Sequence, residues 1–473
     1  MSLQDTLVVA TVCGATTLNA FLSGALTVAI PSIGKDLNII EANLQWPLTV
    51  FSLAYGCTLL LFGRMGDIFG ARIMFLLGSA WFSAWSVGAG LAHNLASITI
   101  FLAMLGLGAA ANTPAAIGIL GSRFPPGSRR NTVFSILGAG QPLGSILGLI
   151  LGGLFSESRA TWRAIFYVQA GLGAFFVVLG FFQLDKQHTD SDLYAKGLDW
   201  GGAILSTAGF GLLTYALAAS ASASRGWANP SIIGLTCASV VILVLFWIYE
   251  TWQEKKGAAV LMPPSIWKHP SARMPSTIGM VFFAWWNFNM LLYLCALYYQ
   301  QVNGLSPLQT SIRFLPGFFF GVVFNLTGGW LFESGGGIIY YSRSNHDEHG
   351  ICLTIFSARV DNDSKSLAGG IFNVAIRLGS LLGLTVSTII STTVSKHFQS
   401  AHPELSSDDP RVLMAGFRAA AWSLIAAGGI SFAIALIGLR GIGIIGKPSE
   451  AKSAARESEP KSEASVGTVE TIA

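Results

Sequence analysis

Twelve stretches of mostly apolar residues recur along the chain, at about 7–31, 44–63, 71–92, 95–121, 132–155, 163–183, 200–220, 229–250, 275–300, 309–333, 366–395 and 412–446. A helix needs about 20 such residues to cross the roughly 30 Å hydrocarbon layer of a bilayer. The stretches are apolar on most faces, which suits helices bundled in lipid. The alternation over about ten residues that marks a membrane β-barrel is absent. Composition narrows the choice further. Only 11% of the residues are charged and 52% are hydrophobic, whereas a soluble domain carries about 25% charged residues. The 54 glycines follow no collagen-like period and suit close helix contact in a membrane. The chain therefore reads as an all-α, polytopic membrane helical bundle with about 12 recognisable spans. The first stretch is read as a permanent span, since it is long for a cleaved signal peptide and poorly supplied with preceding basic residues.

Charge asymmetry orients the spans. Among Lys and Arg outside the spans, Lys35, Arg159, Arg163, Arg225, Lys396 and Arg411 fall on one side, and the rest share the side of the two termini. The positive-inside rule places both termini in the cytoplasm. The net charge of +4 follows from this bias, and no nucleic-acid partner is expected. Residues 447–473 are polar and charge-mixed with no aromatics, the composition of a disordered cytoplasmic tail.

Between the second and third spans stands Gly63-Arg64-Met65-Gly66-Asp67-Ile68-Phe69-Gly70-Ala71-Arg72. So short a reversal needs glycines, and an acid at the membrane edge can pair with basic neighbours or with a helix N-terminus. The further motifs Thr161-Trp162-Arg163, Leu198-Asp199-Trp200-Gly201-Gly202, Leu261-Met262-Pro263-Pro264 and Tyr298-Tyr299-Gln300-Gln301 follow in order. Together these residues resemble the major facilitator superfamily, and within it the fourteen-span drug:proton antiporter branch with its fungal multidrug and aminotriazole-resistance-like members. The resemblance implies a multi-pass transporter of the major facilitator type that alternates access to a central cavity between two bundles. It implies gate-loop roles for Gly63, Arg64, Gly66, Asp67, Gly70 and Arg72, with Asp67 capping the span that begins near Ser366 when the cytoplasmic side is closed. It also implies a small-molecule substrate, no bound cofactor, the proton gradient as energy source, a monomer in the lipid bilayer, and the plasma membrane rather than the vacuolar membrane.

Three departures from that pattern stand out. Where the family has R-x-x-Q-G-x-G, this chain has Leu102-Ala103-Met104-Leu105-Gly106-Leu107-Gly108, so Leu replaces the Arg linked with proton coupling. The fifth-span signature G-P-x-x-G-G appears as Gly148-Leu149-Ile150-Leu151-Gly152-Gly153, without its Pro. The third lies at 334–365, a polar segment where two further spans are expected. Its longest apolar piece, 350–357, is too short to cross a bilayer. Either a piece of the coding sequence is missing or the chain is a degenerate relative. The expected organisation is a six-span bundle at 1–185, two linker spans at 199–250, and a C-terminal bundle at 270–446 that is incomplete.

Polar residues within spans usually face the bundle interior. Candidates for a substrate cavity are Asn19, Gln45, Trp46, Asn112, Gln141, Gln169, Trp285, Trp286, Asn287, Asn289 and Tyr293, with Arg377 near the middle of its span. For each amide, a plain helix–helix hydrogen bond is an equal alternative. Gly140, Gly144, Gly148 and Gly152 recur every fourth residue, a small-residue face for helix packing. All 24 acidic residues fall in loops, in the tail or at span edges, so proton coupling rests on the resemblance alone. No Walker loop or catalytic constellation occurs, and no enzyme activity is expected. The leading expectation is export of drugs, toxins or secondary metabolites. A non-transporting sensor or scaffold and a facilitated uptake carrier remain as alternatives.

Overall fold

The computed structural model describes residues 2–39, 46–125, 127–185, 197–222, 226–267, 274–305, 309–310, 312–317, 319–323, 365–406 and 409–438. Gln45, the body of the 334–365 segment and the tail at 447–473 lie outside them. Among the described residues, eleven helices are long and apolar enough to cross a membrane. They are α1 (Leu3–Asp36), α2 (Trp46–Phe69), α3 (Ala71–Gly90), α4 (Leu95–Arg123), α5 (Ser128–Glu157), α6 (Arg163–Gln183), α7 (Trp200–Ser222), α8 (Pro230–Lys255), α9 (Met274–Leu297), α10 (Lys365–Ala401) and α11 (Pro410–Gly438). A shorter apolar helix, Ile312–Val323, falls where the tenth span was expected.

Local sequence sets several of the ends. Ser2 and Asp5 form a capping box at the start of α1, and Asn94 and Ser97 do the same for α4. Asn229 caps α8, whose first residue is Pro230, the one helical position where the missing N–H is not needed. Gly70 takes φ 95° between α2 and α3. That left-handed backbone is open to glycine, so α3 starts directly where α2 ends.

α1 to α6 pack on one another, most extensively as α1 on α5, α2 on α4 and α3 on α4, with α6 against α1 and α3. α9, α10 and α11 form a second group of mutually packed helices, and α7 and α8 form a hairpin whose α7 leans on α2. The outer faces stay apolar: Val240, Val241, Val244, Leu245 and Ile248 of α8 and Phe175, Val178, Phe181 and Phe182 of α6 are all exposed. In water such patches would drive aggregation. The protein is an integral, multi-pass membrane protein, and these faces meet lipid.

The close pair α1–α5 explains the glycine ladder. A Cβ on Gly144 would lie 2.5 Å from the Thr17 carbonyl oxygen, and one on Gly152 would lie 2.8 Å from the Ala25 Cα. Gly140 faces the Thr17 hydroxyl and Gly148 the Phe21 carbonyl. The two backbones touch along four turns.

Candidate functional site

α10 joins the two groups of helices because it carries two working faces. On one, Gly379 lies against the Phe282 carbonyl and Gly383 against Trp286, both on α9. On the other, α10 packs against α2 and α4. The second contact is a seam between the two groups, and it gathers the polar residues described next.

At one end of the seam, the Leu367 N–H of the first turn of α10 donates to Asp67 Oδ2 at 3.0 Å. The contact joins the gate loop to an unsatisfied helix N-terminus, where a carboxylate is favoured by the helix dipole. Beside it, a Cβ on Gly370 would sit 2.9 Å from the Leu59 carbonyl oxygen and 3.7 Å from Gly63 Cα, and one on Gly369 would sit 3.0 Å from Ile117. Arg64 is buried nearby in sequence. Arg72 turns the other way, donating to the Phe181 carbonyl at 2.8 Å and so tying α3 to the end of α6.

Further along, the Asn19 amide donates to Asn112 Oδ1 at 3.0 Å and to Thr113 Oγ1 at 3.1 Å. The Tyr55 hydroxyl joins Thr113 Oγ1 at 2.8 Å. All four are buried and link α1, α2 and α4. A small cavity opens next to this cluster, lined by Thr16, Thr113, Ile117, Leu137, Gln141, Phe372 and Asn373. Arg377 lies one turn beyond Asn373 on α10, its guanidinium 4.2 Å from the centre of the Tyr55 ring.

The seam therefore brings together Asn19, Asn112, Gln141 and Arg377 and adds Tyr55, Thr113 and Asn373, which the sequence did not single out. The remaining candidates go elsewhere. Trp46 stacks on Tyr215 of α7, with ring centres 5.8 Å apart. Gln169 is fully buried on α6, both its amide atoms without a hydrogen-bond partner. Asn289 donates to Ser380 at 2.9 Å on the α9 side of α10. Asn287 bonds the α11 backbone once its amide is turned, donating to the Leu424 carbonyl at 2.8 Å and accepting from Gly428 at 2.9 Å. The Tyr293 hydroxyl lies 3.5 Å from that of Thr388 on α10. Trp285 packs against Phe288 and Trp286 against Phe282 and Phe283. Successive helical residues point about 100° apart, so the run Trp285–Asn289 divides between α10 and α11 instead of facing one cavity.

Leu102 and Leu105, which stand where the family pattern has Arg and Gln, are wholly buried and packed in the apolar core. The described seam holds amides, hydroxyls and one guanidinium, and the carboxylates lie at its margins.

Two of those marginal carboxylates form a pair that sequence inspection could not see, since they are 51 positions apart. Asp199 caps α7 by accepting from Gly202 N–H at 2.9 Å and takes the Tyr249 hydroxyl at 3.2 Å. Glu250, fully buried, accepts from the Leu261 and Met262 N–H groups at 3.2 Å each. It holds the strand of chain after α8 against the α7–α8 hairpin. Gly202 has no room for a Cβ because the Asp199 and Glu250 carboxyls converge over it, which accounts for the Gly201-Gly202 motif.

The ends of the first six helices are braced as well. Near the Asp67 end, Arg123 pairs with Asp5 at 3.0 Å and with Asp185. At the opposite end, Arg163 donates to Asp36 at 2.5 Å and to the Ala92 carbonyl at 3.1 Å, and the Trp162 indole adds a bond to Asp36 at 3.2 Å. The hydrogen bond from Arg163 holds the Asp36 carboxyl below the usual carboxylate range, against an opposing effect of partial burial and with help from Trp162.

Comparison with known proteins bears on this architecture. The family model of the Major Facilitator Superfamily matches residues 12–342. The chain is 28% identical to MFS-type transporter 1 of Pyricularia oryzae, over 94% of this chain and 85% of that protein. That alignment runs over 525 positions, more than the 473 residues of the chain, so it contains gaps in this chain. The chain is 32% identical to the cephamycin export protein CmcT of Amycolatopsis lactamdurans, over 64% of this chain and 61% of that protein, so it spans less than two thirds of this relative's length. Among solved structures, the human organic anion transporter MFSD10 superposes with a TM-score of 0.58 at 13% identity, over 92% of this chain and all of that one. This last likeness concerns the fold.

Proposed function

The chain belongs to the major facilitator superfamily, and from that premise we propose that it exports small organic compounds by alternating access, driven by the proton gradient. The observation that carries the reading is the seam. One end is shut by the Asp67–Leu367 hydrogen bond and the glycines beside it, and a small cavity of mixed lining, with Thr16, Gln141 and Asn373 beside Ile117 and Phe372, lies behind that closure. The distribution of basic residues makes the shut end cytoplasmic, with both termini on that side. The gate loop, Gly63 to Arg72, then latches the cytoplasmic ends of α2 and α10, and release of the latch exposes the cavity inward. Asn19, Asn112, Gln141 and Arg377 are the residues proposed to meet substrate. Among similar proteins, names such as cephamycin export protein and puromycin resistance protein support outward transport of organic compounds.

The test is expression in a host stripped of its own exporters, with accumulation of labelled antibiotics followed over time. Transport predicts lower accumulation that rises on collapse of the proton gradient. A second reading, a membrane sensor or scaffold that transports nothing, is favoured by Leu102 and Leu105 in the place of the family's Arg and Gln. Unchanged accumulation across the panel, from a protein that is folded and in the membrane, would select it.

A further inference from the structure

Arg377 stands about 18 Å along α10 from the helix start, roughly a third of the way along its 37 residues. Its side chain ends in a planar guanidinium fork, and a charge within a span needs a partner. The structure gives it little. Its aliphatic stem runs past Gly56, whose Cβ position is 3.8 Å from Arg377 Cβ, and its guanidinium rests on the Tyr55 ring. Nε is enclosed and has no acceptor. Among the described residues no carboxylate pairs with it; the ion pairs found involve Arg123, Arg163 and Arg411 instead.

The hydroxyls beside it are bonded to other groups. The Tyr55 hydroxyl and Thr113 Oγ1 share a hydrogen bond, and Thr113 also receives the Asn19 amide; Asn19 Oδ1 is left without a partner, yet no hydrogen bond joins it to Arg377. An aromatic face offsets only part of the cost of removing a guanidinium from water. A planar fork of donors is left facing a seam that contains a cavity one turn away, lined by the apolar Ile117, Leu137 and Phe372 and the polar Thr16, Gln141 and Asn373. A fork of that shape matches a carboxylate, sulfonate or phosphate.

We propose that the substrates are amphipathic organic anions, whose acidic group pairs with Arg377 while the remainder occupies the space that widens between α1, α4, α5 and α10 when the seam parts. In the closed form the cavity there is about one water in size. This rests on the transport reading above and narrows it. A cationic drug would find no counter-charge among the residues lining the cavity and would meet Arg377 as a repelling neighbour.

The test uses the full chain in nanodiscs and a panel of matched probes: arylalkanoic acids of two to four rings and their methyl esters. Binding is read from tryptophan fluorescence and from the shift in melting temperature. The acids are expected to bind about tenfold or more tightly than their esters, the effect of one hydrogen-bonded charge. Arg377→Gln should remove that preference, and Arg377→Lys should keep part of it. Esters that bind as well as acids would overturn the proposal, as would acids that fail to bind or that bind Arg377→Gln undiminished. If neither variant folds, the acid-to-ester ratio of the unaltered protein decides alone. Efflux confined to neutral or cationic compounds, and intact in Arg377→Gln, would sink the anion site and leave transport standing. Selective acid binding with no efflux of anything would do the reverse.

Discussion

Asp67 Oδ2 accepts the backbone N–H of Leu367 at 3.0 Å, joining positions 300 residues apart. The bond puts a negative charge on the first turn of α10, where several N–H groups lack intrahelical partners. Asp67→Asn preserves an acceptor and removes the charge. A carboxylate at a helix N-terminus contributes about 0.3–2 kcal/mol. The variant should therefore shift the balance away from the closed seam by up to about thirtyfold, and slow or unbalance transport. Labelling rates of single cysteines introduced along the seam would measure the shift; unchanged rates and unchanged transport would remove Asp67 from the gate.

Gly148 faces the Phe21 carbonyl with no space for a side chain, whereas Gly171 on α6 has nothing near its Cβ position. Gly148→Ala is expected to destabilise the protein by about 1–3 kcal/mol through overpacking. Gly171→Ala should be neutral or slightly stabilising, since alanine is the better helix former. Melting temperatures of the two variants in the same detergent make the comparison, and equal values would contradict the α1–α5 contact.

Glu250 serves two backbone N–H groups of the segment that follows α8. Glu250→Ala leaves both without their acceptor, at about 1–3 kcal/mol for each buried donor. The expected result is earlier proteolytic cutting near Leu261 together with a lower melting temperature. A variant as resistant as the original would show that the segment is held by Leu261 and Met262 packing alone.

Asp36 carries the pH dependence that can be assigned. Its carboxyl is held below the ordinary range by Arg163, so the unfolded chain binds the proton more readily than the folded one. The stabilisation is complete above the unfolded value, near 3.9, and disappears as pH falls through the lowered folded value. With the Asp36 side chain 45% exposed, solvent screening keeps the contribution to about 0–1 kcal/mol. Asp36→Asn should accordingly lower the melting temperature by a few degrees at most at pH 7, and by progressively less as pH falls below the unfolded value. A larger gap at low pH than at neutral pH would reverse the sign and refute the assignment.

The spans were legible because a membrane asks for long apolar runs, and nothing subtler than run length decides them. The turn between α2 and α3 at Gly70 was legible because tight reversals have a short, local signature. The Gly140–Gly152 ladder was readable for the same reason, as four residues on one helical face. Tyr55, Thr113 and Asn373 were missed because a lone hydroxyl or amide takes its meaning from what the neighbouring helix presents. Asp199 and Glu250 look like ordinary boundary acids until α7 and α8 are folded together. Grouping Trp285, Trp286, Asn287 and Asn289 failed on rotation: adjacency in sequence is not adjacency on a helix. Gln169 was picked for its polarity alone, and α6 carries it to α1 and α3, away from α10.

Where α10 meets α2 and α4 near Asp67, the landing is made by Gly63, Gly369 and Gly370. Smooth surfaces of this kind carry no knobs that must be lifted from holes before two helices part. Separation at these glycines parts bare backbone from its neighbours and breaks the bond from Leu367 to Asp67. Strength and reversibility are thereby uncoupled: the closure can be tightened or loosened by one acidic side chain without redesign of the surfaces it holds together.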